Sequence, residues 1–264
     1  MGQLGVQLTP WTDSRQLVGL ARRLSDVADI MWVQDQMLAR NVYALLGAIA
    51  YAGCGVGTNV TYPTGRNPVE MASALATIAE LAPDDREFLV GLGTGGALVD
   101  SLFRKDRPVA AARESIQLMR ALWSGARVAL DEYPALSAAV GWKPGAVAKL
   151  TYPVARSPQI VVAGVGPKIL AVAGACADGL ISPSNLPTLS RAALLTGEFA
   201  EISGLGRAQA ARPPELPPLR LIFGINVSVS ADGNRYAGDP EWWIDGKKGA
   251  TGGAFRVVCT GLPT

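Results

Sequence analysis

Residues 158–181, PQIVVAGVGPKILAVAGACADGLI, carry the clearest chemistry in the chain. A β-branched run at 159–162 gives way to the turn Gly164-Val165-Gly166. Pro167 and Lys168 then open a helix that closes at Ala177-Asp178-Gly179, and a second apolar strand follows at Leu180 and Ile181. Glycines in such a turn let backbone come close to a ligand. Proline at the first helical position gives up only an N–H that has no helical partner. The remaining free N–H groups and the positive end of the helix dipole favour a phosphate or carboxylate, with Lys168 at hand. A plain strand-to-helix connection with a good start signal accounts for the same residues equally well.

A second glycine-rich stretch, FLVGLGTGGAL at 88–98, matches GxGxxG through Gly91, Gly93 and Gly96. A nicotinamide site on this motif would want the glycines to open a helix directly and an acidic residue to end the next strand about twenty positions on. The first helix read after it starts only at Pro108, and no such acid is present. A loop needing backbone room is therefore the preferred reading, with NADH binding as the rival. The chain has no histidine at all. That excludes a Ser-His-Asp triad, a histidine metal ligand and imidazole acid/base catalysis. Proton transfer is left to carboxylates and phenols, with Asp35, Glu70, Asp100 and Tyr62 as candidates.

Composition narrows the class further. The 24 basic and 22 acidic residues nearly cancel, so no basic stripe points to nucleic acid. Three cysteines, Cys54, Cys176 and Cys259, lack CxxC spacing, which argues against zinc or a disulfide framework and suits a reducing cytoplasm. Residues 1–13 do not read as a signal peptide. Residues 41–65 contain only neutral side chains, but their glycines, Asn59, Thr61 and Pro63 argue for a buried helix followed by a buried strand rather than a membrane span.

The elements that must position these groups alternate. Strands are expected at 4–8, 30–33, 54–59, 88–91, 159–163, 180–181 and 219–229, and helices at 13–26, 42–52, 68–81, 108–123, 168–175 and 189–202. Asp13 and Asn67 are plausible N-caps, with Pro68 in a first turn. Short β-branched strands alternating with amphipathic helices imply parallel strands covered on their faces, and this many units favours a (β/α) barrel over an open sheet. One domain spanning 1–264 is expected, with an excursion at 125–157 between the fourth and fifth strands that would help line the substrate pocket. Residues 212–218 (RPPELPP) form a stiff connector. After Val229 a complete barrel needs another helix, strand and helix, whereas 231–264 is glycine-rich and only 255–259 reads as a strand. The barrel is therefore expected to be incomplete, or to pair its last segment in an unusual way.

Five blocks taken together carry a resemblance. MWVQDQ (31–36), VGTNVTYPTGRNP (56–68), FLVGLGTGG (88–96), RPVAAARESIQLMRALWSG (107–125) and VAGVGPKILAVAGACADGLI (162–181) stand in the order and spacing of the luciferase-like monooxygenases, and most resemble the branch using the deazaflavin coenzyme F420. The resemblance covers roughly residues 4–230. It implies a TIM barrel with the cofactor ring over the C-terminal ends of the strands, F420 as cofactor with FMN as the alternative, and a homo-oligomer, most simply a dimer. It also implies site residues. Asp35 matches an acidic residue near the reactive ring. Thr58, Asn59 and Val60 take the place of a bulge with a non-proline cis peptide behind the ring. Gly93, Thr94 and Gly95 match a loop beside it, and Gly164, Val165, Gly166, Pro167 and Lys168 the phosphate-binding turn.

The departures from the family pattern matter as much. Gln36 stands where sugar-phosphate-oxidising relatives carry a histidine, and Gly96 where they carry a glutamate, which argues against that dehydrogenase activity. Arg66-Asn67-Pro68 replaces the common Arg-His-Pro. With the redox chemistry supplied by the cofactor, Asp35 is the expected catalytic residue, since a strand-end carboxylate in a barrel mouth sits where such groups collect; a cap or salt-bridge role is its alternative. Arg66 is expected to cap a surface loop, Arg113 and Glu114 to brace the barrel, and Trp242-Trp243 to be an exposed pair. A small organic substrate is expected. The rival class is a non-catalytic barrel relative that binds cofactor weakly or serves as a partner subunit.

Overall fold

A computed structural model describes residues 3–182, 205–228 and 254–261. Its centre is a closed barrel in the order β1-β10-β9-β8-β7-β4-β3-β2. The strands β1 (Gln3–Leu8), β2 (Ile30–Val33), β3 (Gly55–Thr61), β4 (Phe88–Leu92), β7 (Gln159–Ala163), β8 (Gly179–Ser182) and β9 (Arg220–Ser228) run parallel. The last, β10 (Ala254–Gly261), runs antiparallel to both β9 and β1 and closes the ring. The strand read at 255–259 is thus present, and its pairing is the unusual one. The helix expected at 189–202, the Trp242-Trp243 pair and most of the atypical segment at 231–264 lie outside the described residues.

The helices wrap the outside: α1 (Ser14–Leu24), α2 (Val42–Tyr51), α3 (Pro68–Leu81), α4 (Ala97–Leu102), α5 (Pro108–Trp123), α6 (Pro134–Val140), α7 (Pro167–Cys176) and α8 (Leu205–Ala210). Asp13 caps α1 by accepting from the Arg15 and Gln16 amides, and Asn67 caps α3 through the Val69 amide. Asn41, not foreseen as a cap, does the same for α2 with Tyr43 and Ala44. Each such side chain satisfies an amide left without a helical partner. The uncharged stretch at 41–65 resolves into α2 and β3. No described helix is long and apolar enough to cross a membrane.

Strand alternation sorts the core into two parts. Val6, Leu8, Met31, Val33, Val56, Val90, Val162 and Leu180 face outward into the large cluster under the helices. Ile30, Trp32, Leu89, Val161, Ile181 and Ile222 fill the barrel interior. Trp32 lies between Gly5 and Gly57, where an added Cβ would come within 2.4 and 2.6 Å of the indole, so these two glycines are the room the ring occupies. Its Nε1 is the one fully enclosed side-chain polar atom without a partner among the described residues.

Two expectations are corrected here. The excursion at 125–157 folds into β5 (Val128–Ala129), a 3₁₀ turn at Leu130–Glu132, α6 and β6 (Val147–Ala148). It packs at the N-terminal end of the barrel: Arg156 donates to the carbonyls of Pro83, Asp84 and Arg86 in the turn leading into β4. It follows a helix and precedes a strand, so its chain is on the face opposite the strand C-termini and does not line a pocket there. Second, Gly96 does open a helix directly, as N-cap of α4. Gly91, however, lies inside β4, where a Cβ would stand 2.1 Å from the Thr58 carbonyl oxygen. The glycine series serves barrel packing and a barrel-mouth loop, not a Rossmann turn.

Candidate functional site

The C-terminal ends of the parallel strands open on one face, and the expected site residues gather there. At the end of β3 the Asn59–Val60 peptide is cis and the register with β4 shifts between Thr58 and Thr61. The buried Thr58 hydroxyl donates to the Gly91 carbonyl at 2.8 Å. The Gly93 amide donates to the Thr61 carbonyl at 2.9 Å. A Cβ at Gly93 would come within 2.9 Å of the Val60 side chain, so the glycine keeps the mouth open above Val60. Val60 and Ala163 rest on the interior cluster and form part of the floor. Thr94 is half-buried, and Gly95 turns the loop with φ +86°, a conformation that favours glycine.

Across the mouth, Gly164, Val165 and Gly166 link β7 to α7, with Pro167 in the first turn and Lys168 exposed. A Cβ on Gly164 would stand 2.3 Å from Ile169, whereas Gly166 has open space. Gly166 is the N-cap and offers no side-chain hydrogen bond. The first-turn amides of a ten-residue helix are thereby left for an anion.

Asp35 lies two residues beyond β2 with its carboxylate enclosed. Arg66 meets it through both ends of the guanidinium, Nε to Oδ2 at 2.7 Å and Nη2 to Oδ1 at 2.5 Å. The Thr61 hydroxyl donates to Oδ2 at 2.8 Å. Because that proton points to Asp35, the Tyr43 hydroxyl at 2.7 Å must donate to Thr61. The Tyr62 hydroxyl donates to the Asp35 backbone carbonyl at 2.9 Å, and the Arg66 guanidinium stacks 4.9 Å from the Tyr43 ring centre. Burial alone would lower the Arg66 pKa, but hydrogen bonding to Asp35 and its charge outweigh this and raise it. Burial, reinforced by the Asp35 charge, pushes the Tyr62 phenol up to about 12 and the Tyr43 phenol higher still. All these tyrosines are neutral donors at ordinary pH.

This cluster changes two readings. Arg66 is not a surface loop cap; it neutralises a buried carboxylate. Asp35, expected as the proton-transfer group, has only 1% of its side chain exposed and accepts three hydrogen bonds, the arrangement of its salt-bridge alternative. The reason is alternation. Trp32 faces the interior and Val33 the helices, so continuing the pattern puts Gln34 on the inner side and Asp35 on the outer one. Among the other acids, Glu70 is exposed in the first turn of α3, and Asp100 pairs with Lys105. Glu114 accepts the Ala135 and Leu136 amides and so caps α6 from α5, a structural contact to the 125–157 excursion rather than to a barrel strand.

Two inward residues escaped sequence reasoning. Gln7, buried on β1, accepts from the Asn59 side-chain amide at 2.8 Å, and Gln34 stands half-buried at the rim. The signal was present in the period-2 pattern of 4–8 and 30–34, read through to the residue past the strand. Gly96, where a glutamate would stand in sugar-phosphate-oxidising relatives, is exposed with room around it, and no described carboxylate takes that place.

Comparison with known proteins bears on this barrel. The chain is 27% identical over 163 residues to 5,10-methylenetetrahydromethanopterin reductase of Archaeoglobus fulgidus, covering 60% of this chain and 46% of that protein. It is 29% identical over 198 residues to F420-dependent glucose-6-phosphate dehydrogenase of Nocardia farcinica, covering 71% of this chain and 54% of that protein. The chain thus spans about half the length of these relatives. The solved structure of coenzyme F420 dependent tetrahydromethanopterin reductase from Methanopyrus kandleri superposes with a TM-score of 0.58 at 21% identity, over 79% of this chain and 61% of that one, a likeness of fold. The family model of the luciferase-like monooxygenases matches residues 2–238, and the chain belongs to that family.

Proposed function

We propose that this protein is an oxidoreductase that binds F420, with FMN as the alternative, at the barrel mouth and acts on a small organic substrate there. The observation that carries the reading is the uncapped N-terminus of α7, with open space at Gly166 and Lys168 beside it, opposite the loop of Gly93, Thr94 and Gly95. The first would hold the cofactor phosphate, and the second would lie along the planar ring over Val60. The ring supplies hydride or oxygen chemistry when bound. The chain's own residues orient and enclose it. Asp35 is proposed as a positioning residue that fixes Arg66 and Thr61 at the rim rather than exchanging a proton. F420 is placed ahead of FMN because both relatives compared by sequence are reductases or dehydrogenases, one of them F420-dependent by name. Glucose 6-phosphate is not proposed as substrate, given Gln36 and Gly96.

Fluorescence titration of the purified protein with F420 and, separately, FMN tests this. Saturable binding of one is expected. Gly166→Asp supplies a carboxylate that caps α7 itself and repels phosphate, and should weaken binding about tenfold or more together with Lys168→Ala. If neither cofactor binds, the non-catalytic barrel relative is the better account.

A dimer is proposed as well. α2 is uncharged all round, and its outer residues Ala44, Ala48 and Tyr51 form an exposed apolar groove with Ala74 and Leu81 of α3. A helix apolar on every side is ordinarily covered, and a second copy of this chain would cover it. Placement in the cytoplasm rests only on the cysteine usage noted above.

A further inference from the structure

The barrel mouth has a polar floor that the cofactor reading leaves unexplained. Gln7, Trp32 and Gly57 stand in one row across β1, β2 and β3, by the pairings Gln7↔Trp32 and Trp32↔Gly57. One layer nearer the mouth, Asn59 follows Gly57 on β3, and extending the Val33↔Thr58 register brings Gln34 beside it. Asn59 reaches back over the Trp32 row to Gln7, its Nδ2 donating to Oε1 at 2.8 Å. Three carboxamides therefore share the inward face of three adjacent strands, beside the apolar interior cluster of Ile30, Trp32, Leu89, Val161, Ile181 and Ile222.

Each carboxamide carries two N–H donors and an acceptor oxygen. The Gln7–Asn59 bond uses one donor and one acceptor. Whichever way the two amides are turned, the pair keeps further donors and an acceptor oxygen. No described side chain takes these up. They are also not sealed in, since among the described residues the only enclosed side-chain polar atom without a partner is Trp32 Nε1. Gln34, half-buried and with no described hydrogen bond, adds another donor and acceptor at the rim. A row of neutral donors and acceptors is the complement of a cyclic imide, whose edge reads carbonyl, N–H, carbonyl. An anion would instead want cations here, and Arg66 is held by Asp35 while Lys105 is held by Asp100.

We propose that Gln7, Asn59 and Gln34 form an imide-reading site that takes the pyrimidinedione edge of the ring, setting its orientation in the mouth. This rests on the proposed flavin or deazaflavin binding and deepens it, since F420 and FMN share that edge. The amide groups donate to the ring carbonyls and accept from the imide N–H. The competing explanation is that Asn59 and Gln7 only tie β3 to β1.

The test pairs F420 and FMN each with its derivative methylated on the imide nitrogen, titrated against the full chain and against Gln34→Leu. Gln34 is at the rim with no hydrogen-bond partner among the described residues, so this variant should fold with an unchanged melting temperature. The expected result is that methylation weakens binding of the accepted cofactor about tenfold or more, because a blocked N–H leaves buried acceptors unpaired. Gln34→Leu should weaken the unmethylated cofactor several-fold and narrow the gap between the two ligands. Equal affinity for methylated and unmethylated forms would overturn the imide site while leaving the cofactor reading standing. An unchanged gap in Gln34→Leu would remove Gln34 from it. Failure of every ligand to bind would overturn the cofactor reading and this one together.

Discussion

Arg66 grips Asp35 with both arms of its guanidinium, at 2.7 and 2.5 Å, in a place where only 16% and 1% of the two side chains are exposed. The pair joins the loop after β3 to the end of β2, and through Thr61 and Tyr43 it reaches α2. It is the fastening of the barrel mouth on the side away from the lumen.

Asp35→Asn removes the charge and leaves Arg66 half-buried without a counter-ion. Breaking a buried pair from one side costs roughly 3 kcal/mol or more, so a clear fall in denaturant midpoint is expected. Asp35→Asn combined with Arg66→Met should recover much of the loss. If the single variant unfolds like the parent, the pair is not what holds the mouth.

Alkaline stability follows from the buried phenols. Burial raises the folded-state pKa of Tyr62 to about 12 and that of Tyr43 further, against about 10 in the unfolded chain. Between these values the unfolded state has lost protons that the native state keeps, so stability is full below about pH 10 and falls as pH rises through about 12. Urea unfolding across this range should show the fall, and Tyr62→Phe should make it shallower.

Two glycines five residues apart in the same segment, Gly91 and Gly96, should respond oppositely to alanine. Gly91→Ala puts a Cβ 2.1 Å from the Thr58 carbonyl oxygen, so β3 and β4 must separate; Gly96→Ala meets nothing within 4 Å at φ −113°. The first should cost about 2 kcal/mol or more and the second less than about 0.5 kcal/mol, as read by thermal unfolding.

Glu114→Ala deprives α6 of the carboxylate that accepts its Ala135 and Leu136 amides. A lost cap costs about 1 kcal/mol. Faster hydrogen exchange at Pro134–Val140, with the barrel strands unaffected, is the expected signature.

Ala48→Arg places a charge on the exposed apolar face of α2 without entering the core. Light scattering should report half the parent mass if that face is covered by a second copy. A parent that already scatters as a monomer would end the dimer proposal.

The alternation of strands and helices, the caps at Asp13 and Asn67, the glycine turn that opens a helix at Pro167 and the family blocks were legible in the sequence because each rests on local spacing: period 2 in a strand, 3.6 in a helix, and side chains that reach their own backbone. Lys168, Gly166 and Gly93 could be placed at one mouth from that order alone, since parallel strands all end on the same face. The absence of histidine likewise set the chemistry available before any coordinates. What required tertiary structure was partnership. Asp35 and Arg66 are thirty-one residues apart, and nothing in either segment says that one will neutralise the other. Gln7 and Asn59 meet over fifty-two residues through a barrel whose closure depends on β10 entering antiparallel beside β1. Side-chain contacts of this range are decided by register and by which face of the sheet each residue takes, quantities that exist only once the strands have paired.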